Sequence, residues 1–156
     1  RNFTSIPQPD FERAEIGKII QEVVKLVKAG LAGDHVRIDS TINPPNLIVR
    51  IDPKQIEMVL INLVKNACEA LHETENPCIK ISVYTDHEQR AYVDITDNGS
   101  GIEPEALEKI FIPFYTTKKT GSGIGLSLSQ RIMQMHHGNL TARSEIGHGT
   151  TFTLQI

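Results

Sequence analysis

The feature that most constrains the fold of this chain is an amphipathic helical segment that begins after Asp52-Pro53. An aspartate followed by a proline is typical of a helix N-terminus, and the helix is predicted to run to about Glu73. Its core face consists of apolar residues at helical spacing: Ile56, Val59, Leu60, Leu63, Ala67 and Leu71. The pattern predicts a helix that packs on one side against a core.

A polar stripe borders that core face. It contains four residues at spacings of seven, four and three: Gln55, Asn62, Asn66 and Glu69. Asparagine is unfavourable inside a helix because its amide competes for backbone hydrogen bonds. Its amide oxygen is a hard neutral ligand that suits Mg²⁺ already bound to phosphates. The stripe is therefore either a magnesium and phosphate site or a pair of asparagines that fill polar gaps beside the core.

The rest of the chain predicts a mixed α/β domain. Residues 1–10 contain two prolines and predict an incoming linker, followed by one domain over 11–156. Strands are predicted at 36–39, 47–51, 79–85, 91–96, 140–144 and 150–156, and further helices at 11–31, 105–111 and 124–136. The turn at 43–46 predicts a hairpin of the first two strands, and Gly138 is predicted to end the last helix. We expect a two-layer α/β sandwich in which three helices cover a sheet of about five strands.

Composition excludes several classes of protein. A net charge of −3 with scattered lysines argues against a nucleic-acid surface. No apolar stretch approaches the ~20 residues of a membrane span, and no signal-peptide pattern opens the chain. The start at Arg1 rather than Met favours a piece of a longer protein. Cys68 and Cys78 lack a CxxC pattern, so we expect neither a disulfide framework nor a zinc site, and a reducing, cytoplasmic setting.

Three glycine-rich segments lie beside predicted elements. Asp97-Asn98-Gly99-Ser100-Gly101 follows a strand, where the aspartate would accept from the exocyclic amine of a purine or simply belong to a turn. Gly121-Ser122-Gly123-Ile124-Gly125 opens a helix, whose N–H groups and dipole favour a phosphate, although it is neither a Walker A loop nor a dinucleotide fingerprint. Gly147-His148-Gly149-Thr150-Thr151 predicts a tight hairpin whose threonine would complete a nucleobase pocket.

A segment between the first two glycine clusters, FIPFYTTKKTG, has an apolar beginning and a basic end. The apolar part would anchor a mobile lid, from which Lys118 and Lys119 would reach a phosphate chain. Ordinary solvated lysines are the alternative interpretation.

In this order and spacing, the elements resemble the GHKL superfamily, which joins gyrase-type ATPases, heat-shock chaperone ATPases, histidine kinases and mismatch-repair ATPases. NLVKNACEAL resembles its N box, DNGSGI the first glycine box, IFIPFYTTK the F box, GSGIGLSLSQRIMQMHHG the second glycine box and GHGTTF the third. One box is a weak signal, whereas five in register over nearly the whole chain are specific. FIPFYTTKK and HHGNL look most like the nitrogen-regulation branch of sensor kinases.

The resemblance implies a Bergerat-type sandwich with a lid that orders over ATP. It implies that Asn66 ligates Mg²⁺ through the phosphates with Asn62 beside it, and that Asp97 receives the adenine amino group, supported by Thr150. The further nucleotide contacts that it implies are Gly99, Gly101, Ile102, Thr117, Lys118, Gly121, Ser122, Gly123, Ile124, Gly125 and Leu126. Asn62, Asn66 and Lys118 would be catalytic by positioning the γ-phosphoryl group and neutralising its charge.

Asn62 also distinguishes branches of the superfamily. In the hydrolysing members this position resembles a glutamate that activates water as a general base, which an amide cannot do. We therefore expect slow hydrolysis and transfer to a separate histidine, since Glu69 is two turns away and too far to substitute.

The string from His72 to Pro77 matches the H box of sensor kinases literally, but it is not expected to be the acceptor. It follows the N box that it should precede and lies at a frayed helix end, which Pro77 terminates. His136 and His137 are expected in the last turn of a helix, where positive charge suits the dipole. The true acceptor is expected on an upstream dimerisation domain that is absent from this chain.

These patterns predict a bacterial two-component histidine kinase domain that is monomeric by itself. Its expected partners are ATP or ADP, the dimerisation and phosphoacceptor domain, and a response regulator, with no nucleic acid or membrane contact. Three alternatives remain: a GHKL ATPase with rapid phosphate release, an anti-sigma-type serine kinase with an acid-stable product, and a nucleotide-sensing module without catalysis.

Overall fold

The computed structural model describes residues 5–30, 35–116, 123 and 125–156. The elements of this part of the chain are β1 (Glu12–Glu15), α1 (Ile16–Gly30), β2 (Arg37–Ile42), β3 (Ile48–Ile51), α2 (Pro53–Ala70), β4 (Cys78–Thr85), β5 (Ala91–Asp97), α3 (Pro104–Leu107), α4 (Gly125–Met135), β6 (Asn139–Glu145) and β7 (Gly149–Gln155). Five strands form a mixed sheet in the order β2-β4-β5-β7-β6, in which only β2 and β4 run parallel. The predicted α/β sandwich with about five strands is confirmed.

The core lies between this sheet and the helices. Alternate residues of the strands are buried on one side, including Ile79, Ile81, Val83, Val93, Ile95, Leu140, Phe152 and Leu154. Helix α2 contacts β4 and β5 and is flanked by α1 and α4. Its predicted core face is buried, and each aliphatic side chain of that kind contributes about 1.5–3 kcal/mol. Within the described residues, no helix combines the length and apolar character that crossing a membrane requires.

The predicted hairpin of the first two strands is wrong. Strand β3 pairs antiparallel with β1 in a separate two-stranded sheet, and β2 pairs parallel with β4. This parallel register sets Ile38 beside Ile79 and Ile42 beside Val83, so it extends the apolar face of the large sheet. Strand β1 was predicted as the beginning of a helix, because the sequence ERAE carries no strand alternation of its own.

The other boundaries differ by a few residues. Helix α1 begins at Ile16, α2 ends at Ala70, and the short helix covers Pro104–Leu107. Helix α4 is ended by His137, whose φ is 64°, while the Gly138 N–H bonds the carbonyl of Met133 at 2.9 Å. The prediction for Gly138 was therefore one residue late. That glycine is needed instead because a Cβ there would collide with the carbonyl oxygen of Gln155.

The residues before β1 lie against the N-terminal end of α2. Ile6 packs against the core, and the carbonyl of Pro7 accepts a hydrogen bond of 3.0 Å from the side chain of Gln55. The Asp10 N–H donates to Asp52 at 2.9 Å. This part of the expected linker is thus joined to the domain that follows it.

Candidate functional site

The structure brings the end of β5 against the C-terminal part of α2. Asp97, the last residue of β5, is only 4% exposed. Its Oδ1 accepts the N–H of Gly99 at 2.9 Å, and the N–H of Thr150 also stabilises the charged carboxylate. Burial raises the pKa of Asp97 above its ordinary value, and these two N–H groups oppose the shift only in part. Such a carboxylate is stabilised further when a ligand supplies another hydrogen-bond donor.

Close backbone contacts account for two glycines in the loop after β5. A Cβ on Gly99 would lie 2.6 Å from the carbonyl oxygen of Ala70, at the end of α2. Gly101 has a φ of +84°, and a Cβ there would collide with the backbone of Glu145. These glycines let the loop pack directly against α2 and against the β6–β7 hairpin.

Hydrogen bonds hold the same loop at both ends. The Asn98 side chain accepts the Cys78 N–H at 2.9 Å and donates to the carbonyl of Asn76 at 3.0 Å. The carbonyl of Ser100 accepts the N–H of Gly147 at 2.8 Å. The loop is therefore fixed by the protein itself, which preorganises the surroundings of Asp97.

Asn62 lies where α2 meets the start of α4. Its Nδ2 donates to the hydroxyl of Ser129 at 3.2 Å, and Ser129 is 3% exposed. A Cβ on Gly125 would lie 2.6 Å from Oδ1 of Asn62, so a larger residue at that position would displace the Asn62 amide. The amide nitrogen of Asn62 is thus bound within the protein, and its oxygen faces the first residue of α4.

Asn66 lies one turn further along α2 and is half-buried. From Asn62 to Ala70 the helix rises about 12 Å. Helix α2 therefore connects two ends of one candidate site, the start of α4 at Asn62 and the loop after β5 at Ala70. Of the predicted residues, the structure groups Asn62 with Gly125 and groups Asp97, Gly99, Gly101 and Thr150 around the other end. Ile102 and Leu126 both pack against the core nearby.

The two outer members of the polar stripe have other surroundings. Gln55 is buried near the start of α2, where it binds Pro7. Glu69 is exposed and lines an open surface pocket with Lys65, Cys68 and His72. His72 lies in a turn beyond the end of α2, as expected for a string that ends a helix.

The contacts of His136, which follows α4, differ from the expected positive charge in the last turn of that helix. His136 is buried, its Nδ1 lies 2.9 Å from the carbonyl of Ile132, and its Nε2 accepts the N–H of Asp52 at 3.1 Å. These contacts fit a neutral ring that donates at Nδ1, not a positive charge placed on the helix dipole. His136 thereby joins the end of α4 to the start of α2.

The segment that precedes the second glycine cluster is anchored by aromatic packing. The ring of Phe111 packs edge-on against Phe152, with centroids 6.4 Å apart, and this contact fixes the apolar beginning of the segment. Phe114 is 66% exposed, and its N–H binds the carbonyl of Gly123 at 2.8 Å. Six residues predicted to contact the nucleotide or its phosphates lie outside the described part of the chain: Thr117, Lys118, Lys119, Gly121, Ser122 and Ile124.

Sequence reasoning missed three polar residues that support the site, namely Asn98, Ser129 and Ser144. Ser144 accepts the Ile102 N–H at 2.7 Å and lies 2.8 Å from the Thr150 hydroxyl. A serine on the buried face of a helix or strand is a signal that it needs a hydrogen-bond partner. The identity of that partner depends on the tertiary structure.

Comparison with known proteins identifies the family of this chain. The sequence model described as "Histidine kinase-, DNA gyrase B-, and HSP90-like ATPase" matches residues 51–156. The chain is 31% identical to the sensor protein FixL of Bradyrhizobium diazoefficiens over 100% of its own length and 31% of that protein. It is 35% identical to the histidine-protein kinase AtoS of Escherichia coli over 97% of its length and 25% of that protein. The chain thus spans a third or less of these curated relatives.

A solved structure covers nearly the same residues. The catalytic domain of the histidine kinase ThkA, in a nucleotide-free form, superimposes with a TM-score of 0.83 at 33% identity. The match covers 94% of this chain and 95% of that domain. With a matching family model over most of its length and this close relative, the chain belongs to the family of histidine kinase-, DNA gyrase B- and HSP90-like ATPases.

Proposed function

We propose that this chain is the ATP-binding catalytic domain of a two-component sensor histidine kinase. It binds Mg·ATP and transfers the γ-phosphoryl group to a histidine on a separate dimerisation domain. The observation that carries the proposal is a buried carboxylate, Asp97, at one end of α2, with Asn62 and the start of α4 at the other. The similarity to named histidine kinases along nearly the whole chain supports it.

We assign the purine to the Asp97 end. The adenine amino group donates to the buried carboxylate, which otherwise binds only the N–H groups of Gly99 and Thr150 among the described residues. The loop that contains Gly99, Gly101 and Ile102 forms one wall. Because this loop is fixed by its own hydrogen bonds, little ordering is needed when the base enters.

We assign the phosphates to the start of α4, which is eleven residues long. Free N–H groups and the helix dipole favour an anion at such a terminus. Gly123, Gly125 and Leu126 belong to this part of the proposal. So do five residues outside the described ranges: Thr117, Lys118, Gly121, Ser122 and Ile124.

The chemistry of the α2 asparagines fits a magnesium ion. Asn62 uses its amide nitrogen to bind Ser129, so its oxygen is the atom left for a hard cation. Neutral amide oxygens bind Mg²⁺ weakly by themselves, so Asn66 and Asn62 would hold the ion only together with the nucleotide phosphates. When bound, it would neutralise negative charge on the β- and γ-phosphates.

The reaction needs positioning more than covalent chemistry from this chain. A nitrogen of the acceptor histidine attacks the γ-phosphorus, the bond to the bridging oxygen breaks, and ADP leaves. Asn62 cannot take a proton from water, so hydrolysis competes poorly with this transfer. The phosphohistidine would then serve a response regulator, which is the further partner of the proposal.

The test is a transfer assay with γ-labelled ATP, Mg²⁺ and a phosphoacceptor dimerisation domain of a histidine kinase. We expect acid-labile, base-stable label on that domain, none when its acceptor histidine is replaced, and no stable label on this chain alone. Rapid phosphate release without transfer would indicate an ATPase, and acid-stable label a serine kinase. Nucleotide binding with neither product would indicate a sensing module.

A further inference from the structure

One serine hydroxyl connects three segments around the Asp97 end of the site. Ser144 Oγ accepts the N–H of Ile102 at 2.7 Å and donates to the carbonyl oxygen of Gly149 at 3.0 Å. It also lies 2.8 Å from Oγ1 of Thr150, where either atom could be the donor by distance alone. Ser144 therefore ties the loop after β5 to both strands of the β6–β7 hairpin.

The number of hydrogens decides which hydroxyl donates. A serine hydroxyl has one hydrogen and two lone pairs. If Ser144 gives its hydrogen to the Gly149 carbonyl, it has one lone pair for the Ile102 N–H and one for the Thr150 hydroxyl, so all three contacts are satisfied. The reverse assignment would leave two oxygen atoms, of Ser144 and Gly149, facing each other at 3.0 Å without a hydrogen between them.

The consequence concerns Thr150, which is 5% exposed and lies opposite Asp97 in the adjacent strand. Residues paired in this way point to the same face of the sheet, with Cβ atoms about 4.5–5.5 Å apart. Because the Thr150 hydrogen is directed to Ser144, Oγ1 presents only lone pairs. The ionised carboxylate of Asp97 also only accepts.

We infer that Ser144 is a positioning residue that sets base specificity, because it fixes Thr150 as an acceptor beside Asp97. This inference rests on the proposed nucleotide site. Two acceptors match a base that carries an amino group at that end and disfavour a base with a carbonyl oxygen there. Without Ser144, the Thr150 hydroxyl is free to rotate and to donate to a carbonyl.

The experiment compares ADP with inosine diphosphate, which replaces the 6-amino group with an oxygen. Calorimetric titrations give the ratio of the two affinities for the unmodified chain, Ser144→Ala, Ser144→Thr, Thr150→Val and the double variant Ser144→Ala/Thr150→Val. We expect the unmodified chain to prefer ADP and Ser144→Ala to lower this preference by about five- to tenfold. Ser144→Thr keeps the hydroxyl and should restore the preference.

The double variant tests whether Ser144 acts through Thr150. In the Thr150→Val background, Ser144→Ala should leave the ratio unchanged. The matched control is Thr151→Val, which removes a hydroxyl on the other face of the same strand, where Thr151 contacts Thr96 at 2.9 Å. This control should keep both affinities.

Two results would overturn the inference while the proposed function stands. One is an unchanged ratio in Ser144→Ala with both nucleotides weakened equally, which is the effect of a loosened loop. The other is an equal loss of preference with and without the Thr150 hydroxyl. If the unmodified chain does not bind ADP, the proposed function and this inference both fail.

Discussion

The pKa values of two aspartates, Asp97 and Asp52, are shifted in opposite directions by their surroundings. Burial raises the pKa of Asp97, and the N–H groups that it binds only partly oppose the effect. Burial would also raise the pKa of Asp52, but the N–H groups of Asp10, Gln55 and Lys54 that the carboxylate accepts outweigh burial and lower it. The first carboxylate is thus held at a cost in stability and the second stabilises the fold.

The raised pKa of Asp97 predicts a pH dependence of stability. A folded protein with a raised carboxyl pKa binds the proton more tightly than the unfolded chain. The stability that Asp97 contributes is therefore fully present below its pKa in the unfolded chain. It is lost as the pH rises through its pKa in the folded protein. Asp97→Asn removes this titration, so the variant should become more stable relative to the unmodified chain as the pH rises.

Thermal unfolding of both proteins from about pH 3 to about pH 7 checks this expectation. The difference in unfolding midpoint should grow in favour of Asp97→Asn towards neutral pH. A difference that does not change with pH would contradict the assigned environment of Asp97.

The contact between Ser129 and Asn62 leads us to expect that Ser129 affects the binding of Mg²⁺ rather than the binding of the base. Ser129→Ala removes the partner of the Asn62 amide nitrogen, so the amide is free to turn its nitrogen towards the phosphates. We expect the Mg²⁺-dependent part of ATP affinity to fall by about three- to tenfold and the affinity without Mg²⁺ to stay the same. Titrations with and without Mg²⁺ measure both, and an equal loss in the two conditions would contradict this role.

The sequence draws attention to the residues of the proposed site more than to their supports. Asp97 and Asn62 were singled out because each is a polar residue in an unfavourable place, at the buried end of a strand and inside a helix. Ser129 and Ser144 were not, because a serine is compatible with many surroundings. Their importance follows from partners 67 and 42 residues away in the chain.

At the scale of elements, the start of α2 is where several parts of the chain meet. The Asp52 carboxylate caps the helix by accepting the N–H groups of Lys54 at 3.1 Å and Gln55 at 3.2 Å, and it also binds Asp10. The Asp52 N–H donates to His136 at the end of α4. One residue therefore links the incoming segment, α2 and α4.

Asp52→Ala should lower the free energy of unfolding by about 1–2 kcal/mol, as expected for the loss of an N-cap. Because the folded pKa of Asp52 is lowered, its contribution is present above the unfolded pKa and is lost as the pH falls through the folded pKa. Denaturant unfolding at neutral and acidic pH measures both effects. Asp52→Asn, which keeps a capping oxygen, should retain most of the stability, and an equal loss in both variants would contradict the capping role.

The elements were predictable where a single segment determines them. The N-terminus of α2 follows from Asp52-Pro53, and β4, β5 and β7 alternate clearly. The partners of β2 and β3 were not predictable, because the turn at 43–46 is also compatible with a hairpin of these two strands. The parallel pairing of β2 with β4 is favoured only by contacts within the larger sheet. The wrong hairpin prediction therefore concerns a pairing that the local sequence does not determine.

At the scale of the whole molecule, the chain corresponds to one catalytic domain. It matches 95% of the ThkA domain but only 31% of FixL. The described parts of the proposed site lie on α2, on α4, at the end of β5 and in the loop after it, and at the start of β7. Under the proposed function, we expect nucleotide binding from this chain alone, and we expect phosphoryl transfer only when an acceptor histidine of a separate domain is supplied.

The central claim is tested most directly by calorimetric titration of ATP, with and without Mg²⁺, on the unmodified chain, Asp97→Asn and Asp94→Asn. Asp94 is the matched control, because it lies on the opposite face of β5 and binds Tyr84 at 3.1 Å and Thr153 at 2.7 Å. We predict saturable binding that Mg²⁺ strengthens, that Asp97→Asn abolishes and that Asp94→Asn preserves. No binding by the unmodified chain, or equal binding by Asp97→Asn, would contradict the account.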